Sequence, residues 1–246
     1  MSSGFKIHKM IDKTDKFATK MDNNLFDLPM RLLLAMPSGS GKSNFLANLF
    51  LKHNGYRSQF LPERIFIFSA SIKGDEKMRI MTEELDVPQE NIFDNYDDEI
   101  LSTIYDMLVD DFCDNVEEGV KNPKLLNSVI IFDDLAFGDS MKASTKDSML
   151  KKIFMNGRKF NISCVVISQK YSSIGTVLRE NATGIVMSRC SNKQLELLDA
   201  DHNYLKEGKK AFRQMFLDAT DKKFSYFIIN FSKPELYFDT NFKPLM

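Results

Sequence analysis

The chain has 246 residues, of which 43% are hydrophobic and 27% charged, with a formal net charge of −1. This apolar content is enough for a sizeable core, and the nearly even charge balance does not by itself indicate a nucleic-acid partner. No apolar run reaches the roughly 18 residues of a membrane span, and the first ten residues lack the apolar centre of a secretory signal, so we expect no stable membrane insertion.

Apolar segments that suit buried strands alternate along the chain with segments that suit helices. Strands are predicted at residues 30–35, 64–69, 91–94, 129–132, 163–168, 184–188 and 224–230. Helices are predicted at residues 42–53, 76–85, 97–119 and 145–156. This alternation predicts an α/β fold of three layers with a mostly parallel central sheet. We expect one such domain over residues 28–246, preceded by a basic N-terminal extension over residues 1–27.

The predicted helix over residues 97–119 is strongly acidic, and residues 97–118 contain no Lys or Arg. Its apolar face is assigned to the following side chains: Ile100, Ile104, Met107, Leu108 and Val116. Such a helix repels DNA, so we expect it to face outwards or to meet a basic neighbour.

Basic residues gather in three other segments, within residues 6–20, 142–159 and 206–223. Those of the first segment, Lys6, Lys9, Lys13, Lys16 and Lys20, recur at steps of three and four and would form a stripe on a helix. A solvated face and a contact with DNA or a capsid remain alternatives for this stripe.

The three cysteines are far apart in the sequence. Their positions, Cys113, Cys164 and Cys190, fit neither a disulfide framework nor a zinc pattern. We therefore expect buried thiols in a reducing compartment.

Residues 36–43, which read M-P-S-G-S-G-K-S, lie between the first predicted strand and the first predicted helix. Strand, glycine loop, Lys-Ser and helix together form the arrangement that cradles nucleotide phosphates. The predicted nucleotide-binding residues are Pro37, Ser38, Gly39, Ser40, Gly41, Lys42 and Ser43. In this interpretation Lys42 reaches the β- and γ-phosphates of ATP and the Ser43 hydroxyl binds Mg²⁺. Met36 stands where the strict pattern has its first glycine, a change that we expect to be tolerated because it precedes the cradle.

A second apolar stretch, S-V-I-I-F-D-D at residues 128–134, ends in two acids. Its continuous apolarity is typical of a strand buried on both faces of a parallel sheet. We assign Asp133 to Mg²⁺ and Asp134 to activation of the attacking water. Many hydrolases use Glu for the second role, so Asp134 is a shorter arm than usual.

A third stretch, G-R-K-F-N-I-S-C-V-V-I-S-Q at residues 157–169, places Gln169 at the end of another predicted strand, where its amide can sense hydrolysis at the γ-phosphate or hold the attacking water. The three motifs together resemble the FtsK–HerA class of DNA pumps. They are most similar to the poxvirus-type genome-packaging ATPases of large DNA viruses, virophages and polinton-like elements. The small size of the chain resembles the virophage version. The resemblance covers about residues 28–190.

The resemblance implies a ring of identical subunits in which an arginine of one subunit completes the ATP site of its neighbour. Arg158 is the first choice for this arginine, because FtsK-type pumps carry one at the corresponding place before the Gln169 strand; Arg179 is the second and Arg189 the third. Such an arginine contributes on the order of 10³–10⁵ in rate.

The function expected from the resemblance is ATP-driven translocation of double-stranded DNA, without sequence preference, into a preformed capsid. ATP and Mg²⁺ are the expected cofactors, and a capsid or portal vertex is the expected partner. The host cytoplasm, in a viral factory, and the virion are the expected locations. Two alternatives stay open: a related DNA-transfer pump or helicase, and a module that binds ATP without hydrolysing it. A small-molecule kinase is disfavoured, because the sequence shows no Arg-rich lid and no base for an acceptor.

Overall fold

The computed structural model describes residues 17–133 and 148–245. Within this part of the chain, eight strands form one sheet in the order β3-β2-β4-β5-β1-β6-β7-β8. The strands are β1 Arg31–Ala35, β2 Ile65–Ser69, β3 Ile92–Phe93, β4 Ser128–Asp133, β5 Ile162–Ser168, β6 Gly184–Met187, β7 Phe227–Asn230 and β8 Tyr237–Phe238. The strands from β3 to β6 in this order pair in parallel, and β7 is antiparallel to both of its neighbours. The mostly parallel sheet predicted from the sequence is confirmed.

The helices cover both faces of this sheet. They are α1 Lys42–Leu51, α2 Glu76–Glu84, α3 Asp98–Glu117, α4 Met149–Asn156, α5 Thr176–Asn181, α6 Asn192–His202 and α7 Lys209–Ala219. Side chains alternate across each strand, so Leu32 and Leu34 of β1 pack with α1 and α2, whereas Leu33 packs with α3 to α7. The two hydrophobic layers explain why the central strands are apolar throughout rather than alternating.

The acidic helix α3 is oriented differently from the prediction. The side chains buried on it are Leu101, Ile104, Tyr105, Leu108 and Phe112, whereas Ile100 and Met107 are 40% and 49% exposed. The aromatic side chains decide the orientation, because Tyr105 and Phe112 each pack edge-on against Phe160 at ring-centroid distances of 6.2 and 6.0 Å. The predicted apolar face was therefore wrong for Ile100 and Met107.

The N-terminal residues that the structure describes pack against the domain. Leu25 and Phe26 are buried in the layer that also contains α1, and the Phe17 carbonyl accepts a hydrogen bond from the Asn161 side chain at 3.1 Å. Lys20, the last residue of the predicted basic stripe, is paired with Asp27 at 2.7 Å. The rest of the stripe lies outside the described residues, and the domain division remains a prediction.

The cysteines differ in exposure, so the prediction of three buried thiols was wrong for Cys113, and Cys190 is only partly buried. Cys113 is exposed, because it lies on the outer face of α3, one residue after the buried Phe112, whereas Cys164 is buried inside β5. Burial raises the pKa of the Cys164 thiol, and burial also raises the pKa of Cys190 to about 11. Within residues 17–133 and 148–245, none of the helices combines the length and the hydropathy of a membrane span.

Candidate nucleotide site

The phosphate-loop motif lies at the edge of the sheet where the parallel strands end. Strand β1 ends at Ala35, and the Met36 N–H donates to the Ser168 carbonyl of β5 at 2.9 Å. The Met36 side chain is fully buried in the layer beneath α1. Met36, which replaces the first glycine of the strict motif, thus packs in the core and precedes the loop that would hold the phosphates.

The loop has the backbone geometry that a phosphate cradle needs. Gly39 and Gly41 have φ angles of 75° and 94°, in the left-handed region that favours glycine. Among the described residues, no acceptor pairs with the N–H groups of Gly39, Gly41 and Lys42. Together with the N-terminus of α1, these donors are suited to a phosphate, which fits ATP.

The C-terminal part of the chain buttresses this loop. The Tyr226 hydroxyl lies 3.1 Å from the Ser40 carbonyl oxygen and 3.4 Å from that of Gly41. The Phe224 ring also packs beside Gly41. The Phe224 backbone has a φ of 65°, which is not a strand conformation, so the predicted start of a strand at residue 224 was wrong. Strand β7 accordingly begins at Phe227. No local pattern in the sequence indicates either contact, since both join residues that lie far apart in the chain.

These contacts predict different costs for alanine at the two loop glycines. A Cβ at Gly41 would lie 2.6 Å from the Tyr226 hydroxyl, whereas one at Gly39 would meet nothing within 4 Å. Both substitutions carry the backbone cost of a positive φ, roughly 1 kcal/mol, and Gly41→Ala adds overpacking of about 1–3 kcal/mol. We expect urea unfolding without nucleotide to show Gly41→Ala as the less stable variant. Equal unfolding free energies would contradict the buttress.

The acid-tipped strand faces the same cleft as the phosphate loop. Asp133 ends β4, is 2% exposed, and accepts hydrogen bonds from the hydroxyls of Ser69 at 2.9 Å and Ser71 at 3.4 Å. Asp133, Lys42, Ser43 and Gly39 all line one cleft of about 760 Å³. Hydroxyl and carboxylate oxygens are the protein ligands that Mg²⁺ prefers, so this set fits Mg²⁺ beside bound phosphates.

Asp75 also lines this cleft, and the sequence did not indicate it as a site residue. It precedes α2, and its carboxylate accepts a hydrogen bond from the Ser43 hydroxyl. The only local signal was an acid just before a predicted helix, which is typical of an N-cap.

Gln169 follows the strand that lies between β4 and β1. The register pairs Asp133 with Ile167 and Ala35 with Ser168, so Gln169 emerges between the acid and the phosphate loop. Its side chain is exposed at this edge. Of the predicted site residues, Lys42, Ser43, Asp133 and Gln169 are thus brought to one edge of the sheet. Asp134 lies outside the described residues.

The three candidate arginines occupy different places. Arg158 is exposed in the turn before β5, at the opposite edge of the sheet from Gln169. Seven residues of strand separate the two edges, roughly 20 Å at about 3.3 Å per residue. Arg158 lies close enough to Arg31, at the start of β1, to lower the pKa of that guanidinium further than burial alone does. Arg158 cannot therefore reach the phosphate loop of its own chain.

Arg179 is engaged inside the subunit. Its guanidinium is paired with Asp201 at 2.8 Å, donates to the Ile174 carbonyl at 2.9 Å and lies over the Tyr171 ring. These contacts give Arg179 a structural role. Arg189 is exposed two residues after β6, on the same edge as the phosphate loop.

The family of the chain follows from its sequence match. A family model described as "Poxvirus A32 protein" matches residues 16–237, nearly the whole chain. The chain belongs to the poxvirus A32 protein family. Membership confirms the resemblance to poxvirus-type packaging ATPases and makes the chain a P-loop ATPase of the FtsK–HerA class. The virophage version, expected from the chain's small size, stays a prediction. No curated protein sequence matches the chain.

Solved structures with this fold include a viral genome-packaging NTPase and a conjugation coupling protein. The packaging NTPase B204 of Sulfolobus turreted icosahedral virus 2, in complex with ATP-γS, is 12% identical over 87% of this chain and 97% of its own, with a TM-score of 0.53. The conjugation coupling protein TcpA of pCW3, with ATPγS, is 15% identical over 85% of this chain and 58% of its own, with a TM-score of 0.51. At these identities the similarity shows the fold, a three-layer P-loop NTPase.

Proposed function

We propose that this A32-family chain hydrolyses ATP to drive double-stranded DNA into a preformed viral capsid. The observation that carries the proposal is the placement of Gln169 between the phosphate loop and Asp133, in a chain of the packaging family. An amide at this position can respond to loss of the γ-phosphate and pass the change along β5. A chain that only bound nucleotide would not need such a group.

In the proposed reaction, residues 37–43 hold the phosphates through the loop N–H groups, and Lys42 balances charge on the β- and γ-phosphates. Ser43 and Asp133 would hold Mg²⁺, which when bound would neutralise charge on the transferring phosphoryl group. Asp134 takes a proton from the attacking water, and Gln169 orients that water. Arg158 of the neighbouring subunit stabilises the transition state.

Arg158 can complete an ATP site only in an assembly of several subunits, because it lies at the sheet edge opposite its own phosphate loop. A head-to-tail interface between identical subunits brings these two edges together, and such an interface closes into a ring when its rotation permits. We propose a homo-oligomeric ring whose central channel contacts DNA phosphates through lysines, without reading sequence. A capsid or portal vertex is its proposed partner, in the host cytoplasm and the virion.

The test is the rate of ATP hydrolysis by the purified protein with Mg²⁺, at fixed salt, with and without long double-stranded DNA. We expect hydrolysis that rises when DNA is added, with equal stimulation by DNAs of unrelated sequence. Tight ATP binding with negligible hydrolysis in both conditions would instead favour the idle ATP-binding module. Packaging is distinguished from a transfer pump or helicase by nuclease protection of DNA in the presence of empty capsids.

A further inference from the structure

Asp75 is held in a fixed orientation by two sets of contacts. Its Oδ1 accepts hydrogen bonds from the backbone N–H groups of Lys77 at 3.0 Å and Met78 at 3.2 Å, which caps the start of α2. Its Oδ2 accepts a hydrogen bond from the hydroxyl of Ser43, the serine that follows Lys42 in the phosphate loop. The cap therefore aims the remaining carboxylate oxygen at a predicted Mg²⁺ ligand.

A serine that binds a cation offers an oxygen lone pair and must direct its proton to another acceptor. Asp133, the other predicted Mg²⁺ ligand, already accepts hydrogen bonds from Ser69 and Ser71. Asp75 accepts the hydrogen bond that the Ser43 hydroxyl donates, which turns the lone pairs of that hydroxyl away from Asp75.

We propose that Asp75 is a positioning residue for the Mg²⁺ that accompanies ATP, acting through the Ser43 hydroxyl. This inference rests on the Mg²⁺–ATP site of the proposed function and adds to it a residue from neither the phosphate loop nor the acid-tipped strand. Groups that orient a metal ligand in this way typically contribute 10–100-fold to metal affinity. The contact also joins the N-cap of α2 to the start of α1.

The chain offers a matched control for the capping role. Asp97 caps α3 in the same way, because its carboxylate accepts from the N–H groups of Glu99 at 2.8 Å and Ile100 at 3.1 Å. It lies outside the nucleotide cleft. Asn and Ser are both good N-caps, so Asp75→Asn, Asp75→Ser and Asp97→Asn each keep a cap while removing a charge.

The experiment measures Mn²⁺ binding by electron paramagnetic resonance, with a saturating non-hydrolysable ATP analogue, for these variants and Ser43→Ala. We expect Asp75→Asn and Asp75→Ser to weaken Mn²⁺ binding about 10-fold or more, with unchanged melting temperature and unchanged analogue binding without cation. Asp97→Asn should bind Mn²⁺ as the wild type does. The double variant Ser43→Ala with Asp75→Asn should lose little more than Ser43→Ala alone, since both act through one hydrogen bond.

Wild-type Mn²⁺ affinity in both Asp75 variants would overturn the inference, as would additive losses in the double variant. The readout needs neither hydrolysis nor DNA, so its outcome is separate from that of the proposed function. If the Asp75 variants bind Mn²⁺ more weakly but the wild type never hydrolyses ATP, the proposed DNA pump is refuted and the proposed role of Asp75 is supported.

Discussion

Replacing Lys42 by alanine is expected to reduce ATP hydrolysis by at least about 10²–10³-fold, the usual cost of losing one charge-stabilising donor at a reacting centre. Lys42 is the first residue of α1 and lines the cleft shared by Ser43 and Asp133. Its ammonium group is the nearest positive charge that the phosphate loop itself supplies to the β- and γ-phosphates. The measurement is the steady-state rate of phosphate release with Mg²⁺ and saturating DNA.

Lys52 provides the matched control, because it is an exposed lysine at the other end of the same helix. Lys52→Ala should hydrolyse ATP at the wild-type rate. Both variants should melt at the wild-type temperature, since neither side chain is part of the core. Wild-type hydrolysis by Lys42→Ala would show that residues 37–43 are not the catalytic phosphate site.

Replacing Arg158 by alanine is expected to lower the hydrolysis rate by about 10³–10⁵-fold, while ATP binding to the isolated subunit stays unchanged. The reason is position, since Arg158 is exposed at the far edge of the sheet and can serve only the site of a neighbouring subunit. Arg189→Ala is the comparison variant, because Arg189 lies on the edge of its own phosphate loop. We expect it to have the smaller effect.

Mixing the two inactive variants tests whether the arginine acts between subunits. A site formed by Lys42 of an Arg158→Ala subunit and Arg158 of a Lys42→Ala subunit is complete. A random equal mixture should therefore recover up to roughly a quarter of the wild-type rate, because about one head-to-tail interface in four has this composition. Wild-type hydrolysis by the Arg158→Ala variant alone would exclude Arg158 as this arginine.

The sequence predicted the parts of the molecule that depend on local pattern. The central strands are apolar without alternation because both faces of the sheet are covered, and this made β1, β2, β4 and β5 recognisable to within one residue at each end. The position of the candidate site could be predicted from these strands, because the carboxyl ends of parallel strands lie at the same edge of a sheet. Lys42, Ser43, Asp133 and Gln169 each lie at or just after such an end.

The features that escaped prediction depend on contacts between distant residues. The buried face of α3 was predicted wrongly because it is determined by packing of Tyr105 and Phe112 against Phe160, which lies in another element. Asp75 read as a helix cap, and only the fold brings it against Ser43. The helices α5 and α6 were not predicted, since α5 is short and α6 has a weak local pattern, and both are stabilised by packing against the sheet. Helix α7 was also not predicted, although it is amphipathic and buries Phe212 and Phe216, four residues apart.

The hydroxyl of Tyr226 lies against carbonyl oxygens of the phosphate loop that are 185 and 186 positions away in sequence. Strand β1 leads into this loop and, in the part of the chain that the structure describes, pairs with β5 and β6. A chain emerging from the ribosome thus presents its nucleotide motif long before the partners of that motif exist. Tyr226 can reach the loop only after the C-terminal residues have joined the sheet, so we expect nucleotide binding to be a late event in the folding of this chain.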